Sequence, residues 1–372
     1  MRIAIVCPYS CTVPGGVQTQ VLGLARALRS QGDDVAVLAP AEGTAGTGRL
    51  SPAALDGAVF IKVGEGRTVS VNGSRAPVSP WPTTMSRTVS ALRELAPEVV
   101  HVHEPFAPGP SLASVVIGPR PIVGTFHRSG ADLAYRAYGR LVGAWSRRLD
   151  AAFAVSEEAR ATARACVRRL SSEVAIIPNG VEVARFASAY PWPTSTPTIV
   201  FVGRHEPRKG LGLLLEAFAL LPESTHLWVV GDGPETGRLR AQFRGKARIE
   251  WLGPLDDEER AARLAGADVF VAPSLGGESF GVVLLEAMAA GTAVVASDLP
   301  GYRLAAGPAA RLVPAGDRVA LAEAVRAVLV DDREREALRD LGRRRAAHYD
   351  MAVIAGLYRD TYLRLGRAAR SG

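Results

Sequence analysis

Apolar residues fall in short runs separated by amphipathic stretches along most of the chain. In the first half these segments lie at residues 3–7, 21–28, 35–38, 99–102, 122–125, 152–155 and 174–177, a recurrence of strand, helix and strand. Strands buried on both faces read as continuous apolar runs, and their alternation with helices predicts a doubly wound, mainly parallel sheet. After Pro178-Asn179-Gly180 the periodicity lapses through a stretch holding Pro191, Pro193 and Pro197, which reads as a linker over 181–197. A second α/β series follows at 199–202, 213–220, 226–230, 249–251, 269–272, 282–290 and 293–296. Two domains, 1–180 and 198–351, with similar sheets facing one another across a cleft, are therefore expected. Pockets form between domains and at the carboxyl ends of parallel strands, where the glycine-rich loops of this chain fall.

Length agrees with two domains, because 372 residues exceed the roughly 250–300 at which a single core stops growing. No apolar run reaches the ~20 residues needed to span a bilayer. The opening Met1-Arg2-Ile3-Ala4-Ile5-Val6 enters a strand-like run at once, without the features of a signal peptide, so a cytoplasmic chain is expected. Cys7, Cys11 and Cys166 match no metal spacing and read as free thiols. A net charge of +7 and a pI near 9.6 permit attraction to phosphates, nucleic acid or anionic lipid. No nucleic-acid-binding signature accompanies that charge, and the arginines at 333–345 are mixed with acids as on a solvated helix.

Candidate chemistry gathers in three glycine-rich segments. The run from Gly276 to Gly291 sets Glu278 and Glu286 eight positions apart across a turn that opens a helix over 280–290, a place where a nucleotide-sugar could lie. The same two acids could equally serve as an N-terminal helix acid and a capping or solvated residue. Gly15 and Gly16, after the first strand, could admit a diphosphate or form only a tight turn. Arg204 and Lys209, in Gly203-Arg204-His205-Glu206-Pro207-Arg208-Lys209-Gly210, can both reach phosphate oxygens; separately, each could be a solvated basic residue.

Taken together, Pro14-Gly15-Gly16-Val17, Gly203-Arg204 with Arg208-Lys209-Gly210, and Glu278 followed after seven residues by Glu286 resemble the retaining glycosyltransferases of family four, which have the GT-B fold of two Rossmann-like domains. Within that family His103-Glu104-Pro105, Thr125-Phe126-His127, Ile177-Pro178-Asn179-Gly180-Val181 and the 276–291 run are most similar to the actinobacterial phosphatidylinositol mannosyltransferases. The resemblance covers nearly the whole chain. It implies that Arg204 and Lys209 bind the donor diphosphate beside Gly16, that Glu286 binds the ribose, and that Ser279, Phe280 and Gly281 belong to the donor site. Glu278 would lie near the sugar hydroxyls, and His127 would be the active-site histidine of the first domain. Tyr9 and Gln18 match acceptor-side positions. Leu255, Asp257 and Arg260 match the base pocket, where a carboxylate at Asp257 favours guanine; Asp256-Asp257 could equally cap a helix. The segment from Tyr349-Asp350-Met351 through Leu365 resembles the terminal helix that crosses back to complete the first domain, at about 352–372.

The implied reaction is transfer of a hexose with retention, mannose from GDP-mannose favoured, to a hydroxyl of a phosphatidylinositol-like lipid. No tightly bound cofactor is implied, and a divalent metal would stimulate without a dedicated protein site. Three acceptor-side positions depart from the relatives' pattern: Thr12 stands for an acid, Phe106 for Asn, and Asp132 for Lys. The basic helix with which family members dock on anionic lipid corresponds to residues 83–95, which offer only Arg87 and Arg93, so weak peripheral contact at the inner face of the membrane is expected. Two alternatives remain open: another nucleotide-sugar with a non-inositol glycan, lipid or small-molecule acceptor, and a non-catalytic nucleotide-binding module.

Overall fold

The computed structural model describes residues 1–13, 15–42, 55, 57–71, 74–130, 133–167, 170 and 173–371. The chain divides into two compact units, one made of Met1–Gly180 with Met351–Gly372 and the other of Val181–Asp350.

In the first unit, β1 (Arg2–Val6), β2 (Asp34–Pro40), β3 (Val59–Gly64), β6 (Val99–His103), β7 (Ile122–Phe126), β8 (Ala151–Ala154) and β9 (Val174–Ile176) form a seven-stranded sheet in the order β3-β2-β1-β6-β7-β8-β9. Every pairing in it is parallel. A separate antiparallel hairpin joins β4 (Arg67–Val71) to β5 (Ser74–Val78). Alternation along β1 explains why its run is unbroken: Ile3 and Ile5 enter one core, Ala4 and Val6 the core on the opposite face. The helix Gly16–Ser30 and the terminal helix Met351–Ser371 both pack on the Ile3 and Ile5 face.

The second unit repeats the plan. Strands β10 (Thr198–Val202), β11 (His226–Val230), β12 (Ile249–Gly253), β13 (Val269–Ala272), β14 (Ala293–Ser297) and β15 (Arg311–Val313) form a six-stranded parallel sheet in the order β12-β11-β10-β13-β14-β15. Strand order reverses between β10 and β13, and in the first unit between β1 and β6. Loops leaving the carboxyl ends at such a reversal splay apart and leave a crevice for ligand.

Three sequence expectations need correction. Residues 181–197 are not simply a linker: Val183–Ala187 is helical, Phe186 is buried, and the stretch belongs to the second unit. The helix expected over 280–290 runs Val282–Ala289, because Gly281 adopts φ +99° and ends the loop rather than starting the helix. Strands β3, β4, β5 and β15 were not foreseen. β3 is half-exposed and carries Lys62, so it shows no continuous apolar run.

Candidate functional site

In the second unit both loops of the reversal converge on one charge cluster. The loop after β10 supplies Arg204, Glu206, Arg208 and Lys209, and ends at Gly210, whose φ of +71° starts the helix Leu211–Phe218. A Cβ at Gly210 would meet the Pro273 carbonyl at 2.0 Å, so glycine is required by backbone conformation and by space. The loop after β13 supplies Ser274 and Glu278 and ends at Gly281, where a Cβ would sit 2.6 Å from the Tyr302 ring. Both helices begin without a side-chain cap among the described residues, which turns two uncapped amide ends toward the loops.

The charges alternate. Lys209 Nζ lies 2.7 Å and Arg208 Nη1 3.3 Å from Glu278 Oε1, and the Ser274 hydroxyl donates to the same oxygen at 3.0 Å. Buried Glu206 holds Arg204 at 3.2 Å through one oxygen and Arg208 at 3.0 Å through the other. Three cations share two carboxylates, a net positive site beside two positive helix ends, suited to an incoming phosphate. Ser274 also bonds Tyr302 Oη at 2.8 Å, and burial followed by the Glu278 charge pushes the Tyr302 phenol upward. Of the residues named from sequence, Arg204, Lys209 and Glu278 therefore meet. Arg208 stood in the motif without a role of its own, and Glu206, Ser274 and Tyr302 were not singled out.

Phe280 is 1% exposed and packs edge-on to Tyr349, so its side chain belongs to the core. Ser279 is half-buried and Gly281 buried. Glu286 lies on the second turn of the next helix, 3.5 Å from Arg260, whose guanidinium it pushes toward a still higher pKa. Arg260 also reaches Asp257 at 3.2 Å, and Arg185 holds Asp257 at 2.8 Å. Asp256, not Asp257, caps the helix Asp257–Gly266 by accepting from the Glu259 amide. Leu255 packs half-buried on the neighbouring core. Asp257, Arg260 and Glu286 thus form one group, joined by Arg185 from the stretch read as linker.

In the first unit Gly16 opens the helix Gly16–Ser30 and is exposed, with nothing within 4 Å of the place a Cβ would take. Gln18 is buried against Gly15 and donates to the Ser10 carbonyl at 3.4 Å. Burial, then the charge of Glu104, pushes the Tyr9 hydroxyl upward. Thr12 bonds Ser10 Oγ at 2.8 Å and accepts from the Glu42 amide at 2.9 Å. Phe106 is buried against Phe126 and offers no polar contact. Asp132 lies outside the described residues.

His127 follows β7 and is buried with two further histidines. Period-two alternation on β6 puts His101 and His103 on one face, and the β6–β7 register sets Thr125 and then His127 beside them. His103 Nδ1 and His127 Nε2 are 2.8 Å apart. Burial lowers His127 to about 4, against a hydrogen bond to Asn179 that raises it, and lowers His101 to about 3. Glu104, buried at φ +46°, accepts from the amides of His127 and Arg128 at 2.7 Å each and so fixes the backbone that carries the imidazole. Burial raises the pKa of that carboxyl.

Two Rossmann-like units in one chain, each with a glycine-opened helix start at its reversal point, are the plan of the GT-B fold. Residues 14–185 match the family described as Glycosyltransferase Family 4, and residues 196–331 that described as Glycosyl transferases group 1. The phosphatidyl-myo-inositol mannosyltransferase of Mycobacterium leprae is 40% identical over 366 residues, 95% of this chain and 94% of the relative. That of Propionibacterium freudenreichii is 37% identical over 95% of this chain and 92% of its own. Among solved structures, sucrose-phosphate synthase from Thermosynechococcus elongatus superposes with a TM-score of 0.73 at 22% identity, covering 99% of both chains. Anabaena HepE in complex with UDP and glucose gives 0.73 at 18% identity over 98% of this chain and all of its own. At those identities the structures speak for the fold alone. The chain belongs to glycosyltransferase family four, in the group that holds the phosphatidyl-myo-inositol mannosyltransferases.

Proposed function

We propose that the protein transfers mannose from GDP-mannose, with retention, to an inositol hydroxyl of a phosphatidylinositol-like lipid. The observation that carries the transferase chemistry is the Arg204–Glu206–Arg208–Glu278–Lys209 cluster at two uncapped helix starts. As the bond from the sugar to the diphosphate breaks, charge grows on the leaving phosphate, and Arg204, Lys209 and the loop amides are placed to stabilise it. Glu278 Oε1 is engaged by two cations and a hydroxyl, which makes it a poor nucleophile and favours attack from the face the diphosphate leaves. In that course the acceptor oxygen bonds to the anomeric carbon and its proton passes to the departing phosphate. The choice of mannose and inositol rests on the 40% identical relatives.

A patch on the first unit supports a lipid acceptor. The helix Leu133–Val142 and the 3-10 turn Gly143–Arg148 hold four arginines and no acid. Arg136, Arg140 and Arg147 are exposed beside Leu141 (74% exposed) and Trp145 (38%). Apolar and aromatic tips among arginines suit an anionic membrane surface, each basic residue there being worth about 1 kcal/mol. By contrast the helix Pro82–Leu95 presents only Arg87 and Arg93 to solvent among basic residues. No helix among the described residues is long and apolar enough to cross a membrane.

Phe106 and Thr12 favour a second reading, a different acceptor with the same donor chemistry, because neither offers a free polar atom where the relatives carry polar residues. Incubation of labelled GDP-mannose with a phosphatidylinositol-containing lipid extract separates the two. Label in a mannosylated inositol lipid supports the first reading; slow GDP release without lipid product moves the acceptor elsewhere.

A further inference from the structure

Three helices of the second unit, Val183–Ala187, Asp257–Gly266 and Val282–Ala289, pack on one another and bring five charged side chains together with alternating sign. Glu182, at the N-cap of the first, lies 3.3 Å from Arg185. Arg185 Nη1 reaches Asp257 Oδ2 at 2.8 Å, and Arg260 Nη2 reaches Asp257 Oδ1 at 3.2 Å. The same Arg260 nitrogen stands 3.5 Å from Glu286. Phe186 anchors the short helix, buried in the core with the Arg260 guanidinium 5.7 Å from its ring centre. Asp257 therefore has one cation on each carboxylate oxygen, an arrangement that resists the rotation about Cβ–Cγ which a single partner would leave. Arg260 is shared with Glu286, so it cannot supply both halves of the clamp. The Asp257 side chain keeps 32% exposure and Arg185 30%, so a ligand edge can reach the pair.

We propose that Arg185 is a positioning residue for Asp257 and through it a determinant of base specificity: the clamp holds the carboxylate plane in which Asp257 accepts from the two-donor edge of guanine. The inference rests on the reading of Asp257 as the base-pocket acid of a GDP-sugar site. Guanine presents N1–H and N2–H side by side, a pair that a carboxylate meets with both oxygens. A carboxylate has about four lone-pair sites, so an arginine on each oxygen does not by itself exhaust it. Uracil presents one N–H between two carbonyl oxygens, which a fixed carboxylate repels, and adenine presents one amino group beside an acceptor nitrogen. Rejection of the wrong base needs the acid to stay in place, because a carboxylate free to turn meets any single donor with one oxygen and escapes the repulsion. An arginine that only fastened the short helix would have no such selectivity; its loss would weaken every nucleotide alike.

Calorimetric titration of the full chain with GDP, UDP and ADP reads the base preference apart from sugar and acceptor. The wild type should bind GDP roughly tenfold or more tighter than UDP or ADP, the scale for one two-donor contact to a base edge. Asp257→Asn, whose carboxamide offers a single acceptor oxygen, should erase that preference. Arg185→Met, which keeps the apolar stem and removes the cation, should cut the GDP-to-UDP ratio by roughly threefold or more and leave UDP affinity within about twofold of wild type. Partial unfolding cannot imitate this result, because it lowers the binding stoichiometry for all three nucleotides and leaves the ratio of affinities alone. An Arg185→Met protein with the wild-type ratio, or one weakened equally for GDP and UDP, overturns the proposal and leaves Arg185 as a fastener of the helix. Equal affinities for the three nucleotides in the wild type would instead remove the guanine reading itself, and the proposal with it.

Discussion

One oxygen of Glu278 takes contacts from Lys209, Arg208 and Ser274, so its charge is committed before any ligand arrives. A diphosphate entering the cluster meets Lys209 and Arg208 already held in place by that carboxylate. Lys209→Met should therefore lower turnover by roughly 10²–10³-fold, the scale for one lost donor to a developing anion. Glu278→Ala should lower turnover similarly while free GDP still binds, since the cations stay; calorimetric titration with GDP and steady-state kinetics check both, and near-normal turnover removes the assignment. A second expectation at this scale concerns acid. His127 at about 4 and His101 at about 3 stay neutral in the fold, whereas unfolded histidine titrates near 6.5. Below pH ~6.5 the unfolded chain binds protons the folded chain does not, so these groups favour folding above that pH and lose their contribution as pH falls toward about 4. Denaturant midpoints should drop steadily over this window, less steeply in His101→Gln; a flat profile would show the imidazoles are not held neutral. Lys209 and Glu278 are legible in the sequence because each sits in a glycine-bounded motif after a strand. Glu206, Ser274 and Tyr302 are not, because their roles arise from contacts that fold together loops and helices tens of residues apart.

Among the elements, the two loops of the second unit depend on glycines that no other residue replaces cheaply. Gly210→Ala would put a methyl group 2.0 Å from a backbone oxygen at φ +71°, and Gly281→Ala one 2.6 Å from Tyr302 at φ +99°. Each should cost at least about 1–3 kcal/mol from backbone strain alone and weaken nucleotide binding, because both uncapped helix starts would move. Urea midpoints and GDP affinity test this together; an unchanged GDP affinity in both variants would disconnect the loops from the donor. Central strands are legible because burial on both faces demands unbroken apolar runs, as in β1, β10 and β13. β3 is obscured by half-exposed positions and Lys62, and β15 by being three residues long. The Val183–Ala187 helix is hidden among prolines, yet it carries Phe186 into the core and Arg185 to Asp257.

For the whole molecule, the division into units does not follow chain order, since Met351–Gly372 closes the first unit rather than extending the second. Met351, Ile354, Ala355, Tyr358 and Tyr362 enter the core built by β1 and the helix Gly16–Ser30. Arg359 holds the buried Asp33 carboxylate at 2.7 Å, and Gln31 donates to the Ala352 carbonyl at 2.8 Å. Removing residues 351–372 would strip five buried side chains, at about 1.5–3 kcal/mol for each large one, and leave Asp33 without Arg359. That is comparable to the whole stability of a domain, about 5–15 kcal/mol. The second unit keeps its own two cores, whose members all lie within Val181–Asp350. Scanning calorimetry of the chain ending at Asp350 should accordingly lose the transition of the first unit and retain one that GDP shifts upward. If the truncated protein instead melts with both transitions intact, the terminal helix is an accessory to the first unit.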